Sequence, residues 1–545
     1  MKRSRLISLI MAALLLITVL AACNQEQSPS PAAGTGTPAA TSPNPGSQHT
    51  GGNLGSSDEY SDTLRIAYSA NLGYIGSDGD MFTNIMIGQP LFNLTQAGEL
   101  VPALAESYEV LRDGSLKITL KKDVVYSNGA PFTAADVKFR FDRYIATGNT
   151  HVSKIERLES IELTDDYTII FHFKEGCDGA TFLYSLPQFG AHFPSRTSYE
   201  DPNVPDSTLV GYVGTGMWMV EEFVQDEYSV LVPNPNFLGQ KPQGLQKLYV
   251  YFIPSAESRI MALQAGDVDL VMDHLHGGTG YTPRNQLGVL ERAGFDIYPN
   301  EVPMTYNLMM CHQVADKPWS NPKVREAVTY AINVEEVVSL FDGYVNPATN
   351  KVFSDMTPFM EGVEGIDNVY DPARARALLE EAGYDFDYTA VYLVNSANAD
   401  ETKIAEIITA QLAAVGIKTQ IVPGETAVLS ELRNTFNFDL YTGISGGPFR
   451  MQYSRFDSAF GDVGFTNNHT WYASAETLAL YYTAAEAYDM QARRVGFQAF
   501  FSSLAKDRGV VSLYYENAFF VASQNVEGFY VDAGEPHFEN VMVRK

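Results

Sequence analysis

The sequence predicts an α/β or mixed α+β fold, because strand-like and helix-like segments alternate from residue 61 to the end of the chain. Of its 545 residues, 45% are hydrophobic and only 19% are charged, a composition that fills a large core and excludes general disorder. We find no internal repeat. At about 150 residues per domain, the length predicts two to four domains.

The pattern of residues 1–22 predicts an export signal. Three cations among the first five residues precede a long apolar stretch. The segment ends in Leu-Ala-Ala-Cys23, which resembles the bacterial lipobox, in which the cysteine thiol receives a diacylglycerol. A signal anchor with an incidental cysteine is the alternative. No other run of 18 or more apolar residues occurs, so the lipid on Cys23 is the expected membrane attachment.

The composition of residues 23–61 predicts a flexible tether. Between residues 28 and 57, 25 of 30 positions are Ser, Pro, Gly, Thr or Ala, and no residue is aromatic. Such a segment cannot recover its ordering entropy by burial. As a random coil it reaches roughly 30 Å, which holds a folded body clear of a lipid surface. The expected location is the outer face of the cell membrane, and the tether length favours a Gram-positive cell surface.

Three segments alternate apolar and polar residues with the period of two that is typical of half-buried strands. They are Thr63–Tyr68, Leu116–Leu120 and Tyr167–Phe173.

Helices are indicated by residues that cap their ends. The starts are marked by Thr133 with Asp136, by Ser255, by Asn321-Pro322 and by Asp371-Pro372, and the stops by Gly266 and Gly383. A further helix is predicted within residues 404–415, where apolar side chains recur on one face. Gly416 ends it before a predicted strand at Ile417–Val422.

The chain is strongly acidic, with 37 Lys and Arg against 65 Asp and Glu and a formal net charge of −28. A surface of this sign repels polyanions, so we expect no nucleic-acid partner. The ordinary explanation is that solvated carboxylates keep a secreted protein soluble and monomeric. Three cysteines in the whole sequence predict neither a disulfide scaffold nor a zinc framework.

Seven blocks, found in the expected order, resemble the family 5 extracellular solute-binding proteins, which serve importers of oligopeptides, dipeptides, nickel chelates and related solutes. The longest block, residues 103–139, reads ALAESYEVLRDGSLKITLKKDVVYSNGAPFTAADVKF. The others lie at residues 214–223, 232–239, 258–270, 321–333, 370–384 and 410–422. The resemblance covers essentially everything after residue 61.

The resemblance implies a bilobed, type II periplasmic-binding-protein-like fold with an extra subdomain in lobe one. We expect lobe one to hold residues 62–300, lobe two to hold residues 301–511, and residues 512–545 to return to lobe one. The chain is expected to cross between the lobes near Pro303–Asn307 and near Ser512–Glu516. A hinge at these two crossings would let the lobes close on a ligand.

The resemblance also indicates where a ligand would bind. Gly214-Thr215-Gly216 is a short loop with a hydroxyl that can bring backbone N–H groups close to a ligand, and an ordinary turn is the alternative. Tyr306 and Asn307, at the first crossing, are expected to supply an aromatic wall and an amide.

In lobe two, many peptide-binding relatives carry an acidic residue that pairs with the ammonium group of the peptide. Here no acid occurs between Asp439 and Asp457, and Arg450 stands near the expected place beside Phe449. A guanidinium binds a carboxylate or a phosphate and cannot hold an ammonium. We therefore expect Phe449 and Arg450 to contact an anionic or neutral part of the ligand. The alternative is that Arg450 is solvated or pairs with a protein carboxylate.

Ser445 lies in Gly443-Ile-Ser-Gly-Gly447, which fits the G-x-S-x-G pattern of a hydrolase nucleophile. That pattern needs a helix immediately after the serine, and the following Gly-Gly-Pro opposes one. We therefore expect Ser445 in a glycine-rich loop at the ligand cleft, with no catalytic residue in the chain.

Two further sets of side chains leave alternatives open. His274 and His276 could bind a metal, but the Gly-rich residues after them favour a surface loop, so we expect neither a metal nor a cofactor. Cys177 and Cys311 could form a disulfide, but a bond between the lobes would restrain opening, so free thiols are expected.

The sequence thus predicts a lipid-anchored substrate-binding component of an ABC importer, with no enzymatic activity. It would capture a peptide or related small solute and deliver it to a membrane permease that separate ATPase subunits energise. The chain contains no G-x-x-x-x-G-K-[ST] loop, which agrees with that division of labour. The alternatives are an extracellular peptide-sensing receptor and a secreted serine hydrolase that uses Ser445.

Overall fold

In a computed structural model of the chain, the structure describes residues 59–69, 86–95, 98–147, 154–187, 192–200, 212–273, 282–396, 398–446, 456, 460, 473–487, 489–532 and 535–545. Cys23, the signal and nearly all of the tether lie outside these residues, as do His274, His276, Phe449 and Arg450.

Twenty-two strands are distributed along the described residues. They are β1 (Tyr60–Ser61), β2 (Thr63–Tyr68), β3 (Phe92–Leu94), β4 (Leu100–Pro102), β5 (Ala105–Val110), β6 (Leu116–Leu120), β7 (Leu158–Asp165), β8 (Thr168–Phe173), β9 (Trp218–Val224), β10 (Tyr228–Pro233), β11 (Lys247–Phe252), β12 (Leu270–Met272), β13 (Asp296–Met310), β14 (Asn346–Pro347), β15 (Thr389–Asn395), β16 (Lys418–Gly424), β17 (Leu440–Gly446), β18 (Val510–Ala522), β19 (Val526–Glu527), β20 (Tyr530–Asp532), β21 (Glu535–His537) and β22 (Met542–Arg544).

The α-helices alternate with these strands. They are α1 (Ala134–Thr147), α2 (Gly179–Leu183), α3 (Thr197–Glu200), α4 (Ala256–Ala265), α5 (Arg284–Arg292), α6 (Pro322–Ala331), α7 (Val334–Val338), α8 (Pro372–Glu381), α9 (Ala399–Ala414), α10 (Thr426–Asn434), α11 (Ala475–Ala485) and α12 (Met490–Asp507). Short 3-10 turns lie at Ile155–Arg157, Pro318–Ser320 and Ser339–Phe341.

The predicted caps are confirmed. The Ser255 hydroxyl accepts the Ser258 N–H at 3.2 Å, and Gly266 ends α4 in the left-handed conformation that glycine adopts without strain. Asp371 caps α8 in the same way, accepting the Arg374 N–H at 2.8 Å.

Several predicted boundaries shift by one to five residues, and the strand predicted at Ile417–Val422 is observed as β16 at Lys418–Gly424. Strand β8 begins one residue later than expected, because the Tyr167 N–H is bound by the side chain of Asp165 at 2.7 Å in the preceding turn. Helix α9 begins five residues earlier than residue 404, because the Asn398 side chain caps the N–H groups of Asp400 and Glu401. Such side-chain caps compete with continued strand or helix geometry at element ends.

The end of the predicted tether is folded. Tyr60 and Ser61 form β1 and pair with Arg544 and Val543 of the C-terminal strand β22. The ordered body therefore begins before residue 62.

Eleven of the 22 described strands join one large sheet. Its order is β16-β15-β17-β13-β18-β12-β2-β11-β10-β9, with β14 paired to β18 outside this path. Strands β15, β16 and β17 run parallel to one another, and β2, β11 and β12 form a second parallel set. The antiparallel pair β13 and β18 lies between the two sets.

Separate hydrophobic cores lie on either side of this central pair. The first core includes Leu64, Trp218 and Phe520, and the second core includes Trp319 and Leu393. A third core covers a separate four-stranded sheet, β5-β6-β8-β7, whose inner residues pack on α1 and α2.

Both central strands pass from one core to the other. On β13, Met304 belongs to the first core and Tyr306 to the second, while on β18, Tyr514 belongs to the second core and Ala518 to the first. We call residues 304–306 and 514–518 the crossing region. The pairing of β13 with β18 is irregular on both sides of it, between Glu301 and Met304 and between Tyr306 and Asn307.

Cys311 is a buried free thiol at the end of β13, and Cys177 is a half-buried free thiol before α2. Burial raises the pKa of Cys311 to about 11. No helix within the described residues has both the length and the apolar character needed to cross a bilayer.

A histidine–carboxylate pair near the C-terminus makes stability depend on pH. His537 Nδ1 lies 3.2 Å from Glu539 Oε1, and the histidine ring stacks on Tyr530. Burial alone would lower the pKa of His537, but the Glu539 hydrogen bond and nearby acids outweigh it, so this pKa lies above 6.5. For Glu539 burial would raise the pKa, but the His537 hydrogen bond outweighs it and the pKa lies below 4.5.

The contribution of His537 to stability is therefore complete below pH 6.5 and is lost as the pH rises through its folded pKa. That of Glu539 is present above pH 4.5 and is lost as the pH falls through its own folded pKa. We expect His537→Gln to lower the melting temperature most at about pH 5.5 and least at about pH 8. Thermal unfolding of both proteins across this range measures the difference, and an equal loss at both pH values contradicts it.

Candidate functional site

The carboxyl ends of the strands on the second-core side lie at the crossing region. Gly446, the last residue of β17, pairs with Met304, whereas Leu440, its first residue, pairs with Met310. Strands β15 and β16 run parallel to β17, so their carboxyl ends lie at the same edge. In sheets of this kind, ligands bind outside the carboxyl ends of parallel strands.

The parallel strands on the first-core side are oriented towards the same place. Met272, the last residue of β12, pairs with Phe520. Leu270, the first residue of β12, pairs with Ala522, which is farther from the crossing region. Met272 also pairs with Tyr68 at the carboxyl end of β2. The carboxyl ends of both parallel sets therefore face the crossing region, and we call them the facing edges. They are the candidate binding site.

Two predicted site residues meet at one of these edges. The Asn307 side chain donates to the Ser445 hydroxyl at 2.8 Å and to the Thr305 carbonyl at 2.8 Å, and both side chains are buried. Ser445 in turn donates to the Val352 carbonyl. The pair joins β13 to β17 and fixes their register at the edge. Ligand contact by Asn307 and Ser445 stays a prediction.

The same contacts bear on the hydrolase alternative. The expected glycine-rich loop at Ser445 is wrong, because Ser445 lies within strand β17 and not on a sharp turn after it. Its hydrogen-bond partners are the Asn307 amide and backbone carbonyls, none of which can take up its proton. A serine nucleophile needs a base within hydrogen-bonding reach. Ser445 therefore has the environment of a structural hydroxyl.

Tyr306 packs inside the second core, although it lies at the crossing. Its ring stacks on Tyr514 with centroids 4.9 Å apart and planes at 13°. Burial raises its pKa well above the usual value, so the phenol stays neutral. The expected role of Tyr306 as an aromatic wall for a ligand stays a prediction.

The Gly214-Thr215-Gly216 segment packs closely on the backbone of Ile87. A Cβ atom at Gly214 would lie 2.0 Å from the Ile87 oxygen, and the Gly216 N–H donates to that oxygen at 2.9 Å. The glycines are therefore required for close approach of two backbones. The segment leads into Trp218, the first residue of β9, which pairs with Pro233. This end of β9 is the one farther from the crossing region. Ligand contact by these three residues stays a prediction.

Sequence reasoning missed two charged residues at the second-core edge. Glu401, near the start of α9, is 9% exposed, and Arg433 lies on α10. Both line a cavity of about 80 Å³ together with Asn395, at the carboxyl end of β15, and Thr442, on β17. The capping residue Asn398 was a usable signal for Glu401, because it places that residue in the first turn of a helix that follows a strand.

The first-core edge carries two buried ion pairs. Arg259 and Asp273 lie 3.7 Å apart and are both fully buried. Arg284 pairs with Glu516 on β18, inside the crossing region. Among the described residues, no group of three or more His, Cys, Asp or Glu side chains is arranged to hold a metal ion.

Comparison with protein families gives one extended match. The profile described as bacterial extracellular solute-binding proteins, family 5 Middle, matches residues 99–467.

Individual relatives are named for different solutes. A nickel-binding periplasmic protein of Escherichia coli is 25% identical over 340 residues, 59% of this chain and 61% of that protein. The glutathione-binding protein GsiB of Salmonella typhimurium is 29% identical over 61% of this chain and 63% of its own length. A dipeptide-binding protein of Escherichia coli is 25% identical over 82% of this chain and 86% of its own length. The chain thus spans less than two thirds of the first two relatives.

Solved structures are similar over almost their whole length. NikA from Brucella suis, in complex with Fe(III)-EDTA, has a TM-score of 0.77 at 22% identity, covering 88% of this chain and 99% of that one. The oligopeptide-binding protein AppA from Bacillus subtilis, in complex with a nonapeptide, has a TM-score of 0.69 at 21% identity, covering 89% and 100%. The predicted bilobed, type II periplasmic-binding-protein fold is therefore confirmed. Since the family profile covers more than half of the sequence, the chain belongs to the family 5 bacterial extracellular solute-binding proteins.

Proposed function

We propose that the protein captures a peptide or related small solute between its two lobes and delivers it to the permease of an ABC importer. The observation that carries this proposal is the crossing region. Two strands leave one hydrophobic core and enter another, and the carboxyl ends of two parallel sets face each other there. A ligand that touches both edges favours the state in which they approach each other.

The lobe boundaries follow the same division. Lobe one consists of residues 62–300 with the extra subdomain, and residues 512–545 return to it, while lobe two consists of residues 301–511. The first core draws its residues from Leu64–Met304 and Ala518–Val543, and the second core mainly from Tyr306–Tyr514, which supports boundaries near these positions. Changes of φ and ψ at a few residues of the two crossings then suffice for closure.

The chemistry of capture requires no reaction, so the protein acts as a carrier and not as an enzyme. It works as a monomer, anchored through a lipid on Cys23 to the outer face of the cell membrane. Separate permease and ATPase subunits complete the importer. The relatives are named for nickel, glutathione and dipeptide binding, and we place the ligand of this chain within that range of small solutes. Arg450, with Phe449 beside it, favours an anionic or neutral group of the ligand in lobe two.

The test combines identification of the solute with a measurement of shape. Native mass spectrometry of the protein purified from its source identifies a non-covalently bound compound. After the compound is removed, small-angle scattering with and without it measures closure, and we expect a smaller radius of gyration when it is bound. Unchanged scattering profiles across peptides, metal chelates and the copurified compound, together with chemical turnover of any of them, contradict the proposal.

A further inference from the structure

The cavity of about 80 Å³ at the second-core edge has the position of a ligand subsite. It lies at the carboxyl end of β15, at Asn395, and extends beside the first half of β17, at Tyr441 and Thr442. This volume is several times the roughly 10–15 Å³ that a cavity needs to hold one water molecule. This is enough for one small polar group and too little for a whole peptide.

One side of the cavity carries a buried carboxylate. Glu401 lies in the first turn of α9, whose Asn398 cap fixes its backbone. Its Oε1 accepts the Asn395 N–H at 3.0 Å, which orients the side chain. Burial raises the pKa of this carboxyl, because the charged form loses hydration. A cation placed beside the carboxylate would compensate for that loss.

A guanidinium lines the same cavity. Arg433 donates to the Ser430 hydroxyl at 3.0 Å and lies 5.0 Å from the ring centroid of Tyr441, so its position is fixed. Its Nε is buried and has no hydrogen-bond partner among the described residues. Arg433 and Glu401 both line the cavity, and the charge of Arg433 acts to lower the pKa of Glu401. The Glu401 carboxylate also interacts with the hydroxyls of Thr442 and Tyr306, so a ligand ammonium would join these donors there.

We propose that this cavity binds the zwitterionic head group of an α-amino acid, with its ammonium directed to Glu401 and its carboxylate to Arg433. The head group belongs either to a free amino acid or to the amino-acid end of a larger solute. The inference rests on the proposed capture of a solute at the facing edges, and it adds the chemical class of that solute.

The inference also supplies an acid that the loop after β17 lacks. That loop contains no carboxylate between Asp439 and Asp457, which argued against a free amine. Glu401 reaches the same edge from a different helix, so an ammonium has a partner there after all. The cavity carries a negative charge at Glu401 and a positive charge at Arg433. This arrangement favours a zwitterion over a simple anion, because the anion would be repelled by Glu401.

The experiment uses two probes that carry the same head group, L-alanine and γ-glutamyl-L-alanine. Isothermal titration of the ligand-free protein with both probes distinguishes a free amino acid from the end of a larger solute. Two analogues, the N-acetyl and the amide derivative of L-alanine, lack the ammonium or the carboxylate. We expect at least one probe to bind and both analogues to fail.

Two variants then assign the charges. Glu401→Gln keeps an oxygen for the Asn395 N–H, and we expect it to weaken binding of the probe about 10- to 100-fold, as does Arg433→Gln. Matched controls are Glu406→Gln, on the exposed face of α9, and the exposed Arg374→Gln, which we expect to bind as the original protein does. Thermal unfolding verifies that each variant is folded.

The outcomes separate this inference from the proposed function. If neither probe binds, or if both cavity variants bind with unchanged affinity, the inference is wrong. In either case, a copurified solute that still causes closure leaves the proposed function standing. If no solute binds and scattering never changes, the proposed function itself fails.

Discussion

Replacing Asp273 by alanine is expected to lower the free energy of unfolding by about 3–5 kcal/mol, one of the two largest losses that we expect from a single substitution. Asp273 is fully buried and lies 3.7 Å from the equally buried Arg259. Its Oδ1 also accepts the backbone N–H of Thr282 at 2.9 Å and its hydroxyl at 3.0 Å. Removing the carboxylate leaves a buried guanidinium without its counter-charge and the Thr282 donors without an acceptor.

Urea unfolding at neutral pH measures this loss. Asp273→Asn keeps an oxygen for Thr282 but removes the charge, so we expect a smaller loss than with alanine. The control is Asp267→Ala, six residues away on the surface, which should change stability by less than about 0.5 kcal/mol. A loss below about 1 kcal/mol for Asp273→Ala would show that the buried pair contributes little.

The second large effect is expected at Asp439, which organises the start of β17. Its Oδ1 accepts hydrogen bonds from Trp319 Nε1 at 2.9 Å and from the Tyr388 hydroxyl at 2.6 Å. Its Oδ2 accepts the Val391 N–H at 2.8 Å, and Lys317 forms an ion pair with the carboxylate at 3.2 Å. Alanine leaves several buried donors unsatisfied at about 1–3 kcal/mol each, so we expect a loss of about 3–5 kcal/mol.

This prediction has a spectroscopic readout besides stability. Because the Trp319 indole loses its hydrogen bond, the tryptophan fluorescence of the folded Asp439→Ala protein should differ from that of the original protein. This signal is recorded without denaturant and is independent of the unfolding measurement. Asp316→Ala, an exposed neighbour of Lys317, is the matched control and should leave both signals unchanged. Equal unfolding curves for the Asp439→Ala and control proteins would contradict the role assigned to Asp439.

Local elements were predictable from the sequence because their causes are local. The limits of β2 and β6 follow from alternation within five or six residues, and they agree with the structure. The starts of α4 and α8 follow from one capping side chain each. The shift of β8 by one residue depends on a side-chain bond within a three-residue turn, which apolar alternation does not register.

The candidate site was less predictable, because it depends on which strands become neighbours. Asn307 and Ser445 are 138 residues apart in sequence, and only the pairing of β13 with β17 brings them to 2.8 Å. Glu401 was not predicted, because the family resemblance points to one loop, whereas the edge of a parallel sheet gathers residues from several connections. The glycines of residues 214–216 look like a binding loop in sequence, and the structure shows that they admit the backbone of Ile87.

The state of the two cysteines in the folded body has a practical consequence. A thiol reacts as its thiolate, and Cys311 is both enclosed and held at a pKa of about 11, whereas Cys177 is partly open to solvent. A maleimide dye added to the native protein therefore attaches at Cys177 without any engineered cysteine. The natural sequence of the folded body therefore offers one accessible thiol for site-specific labelling.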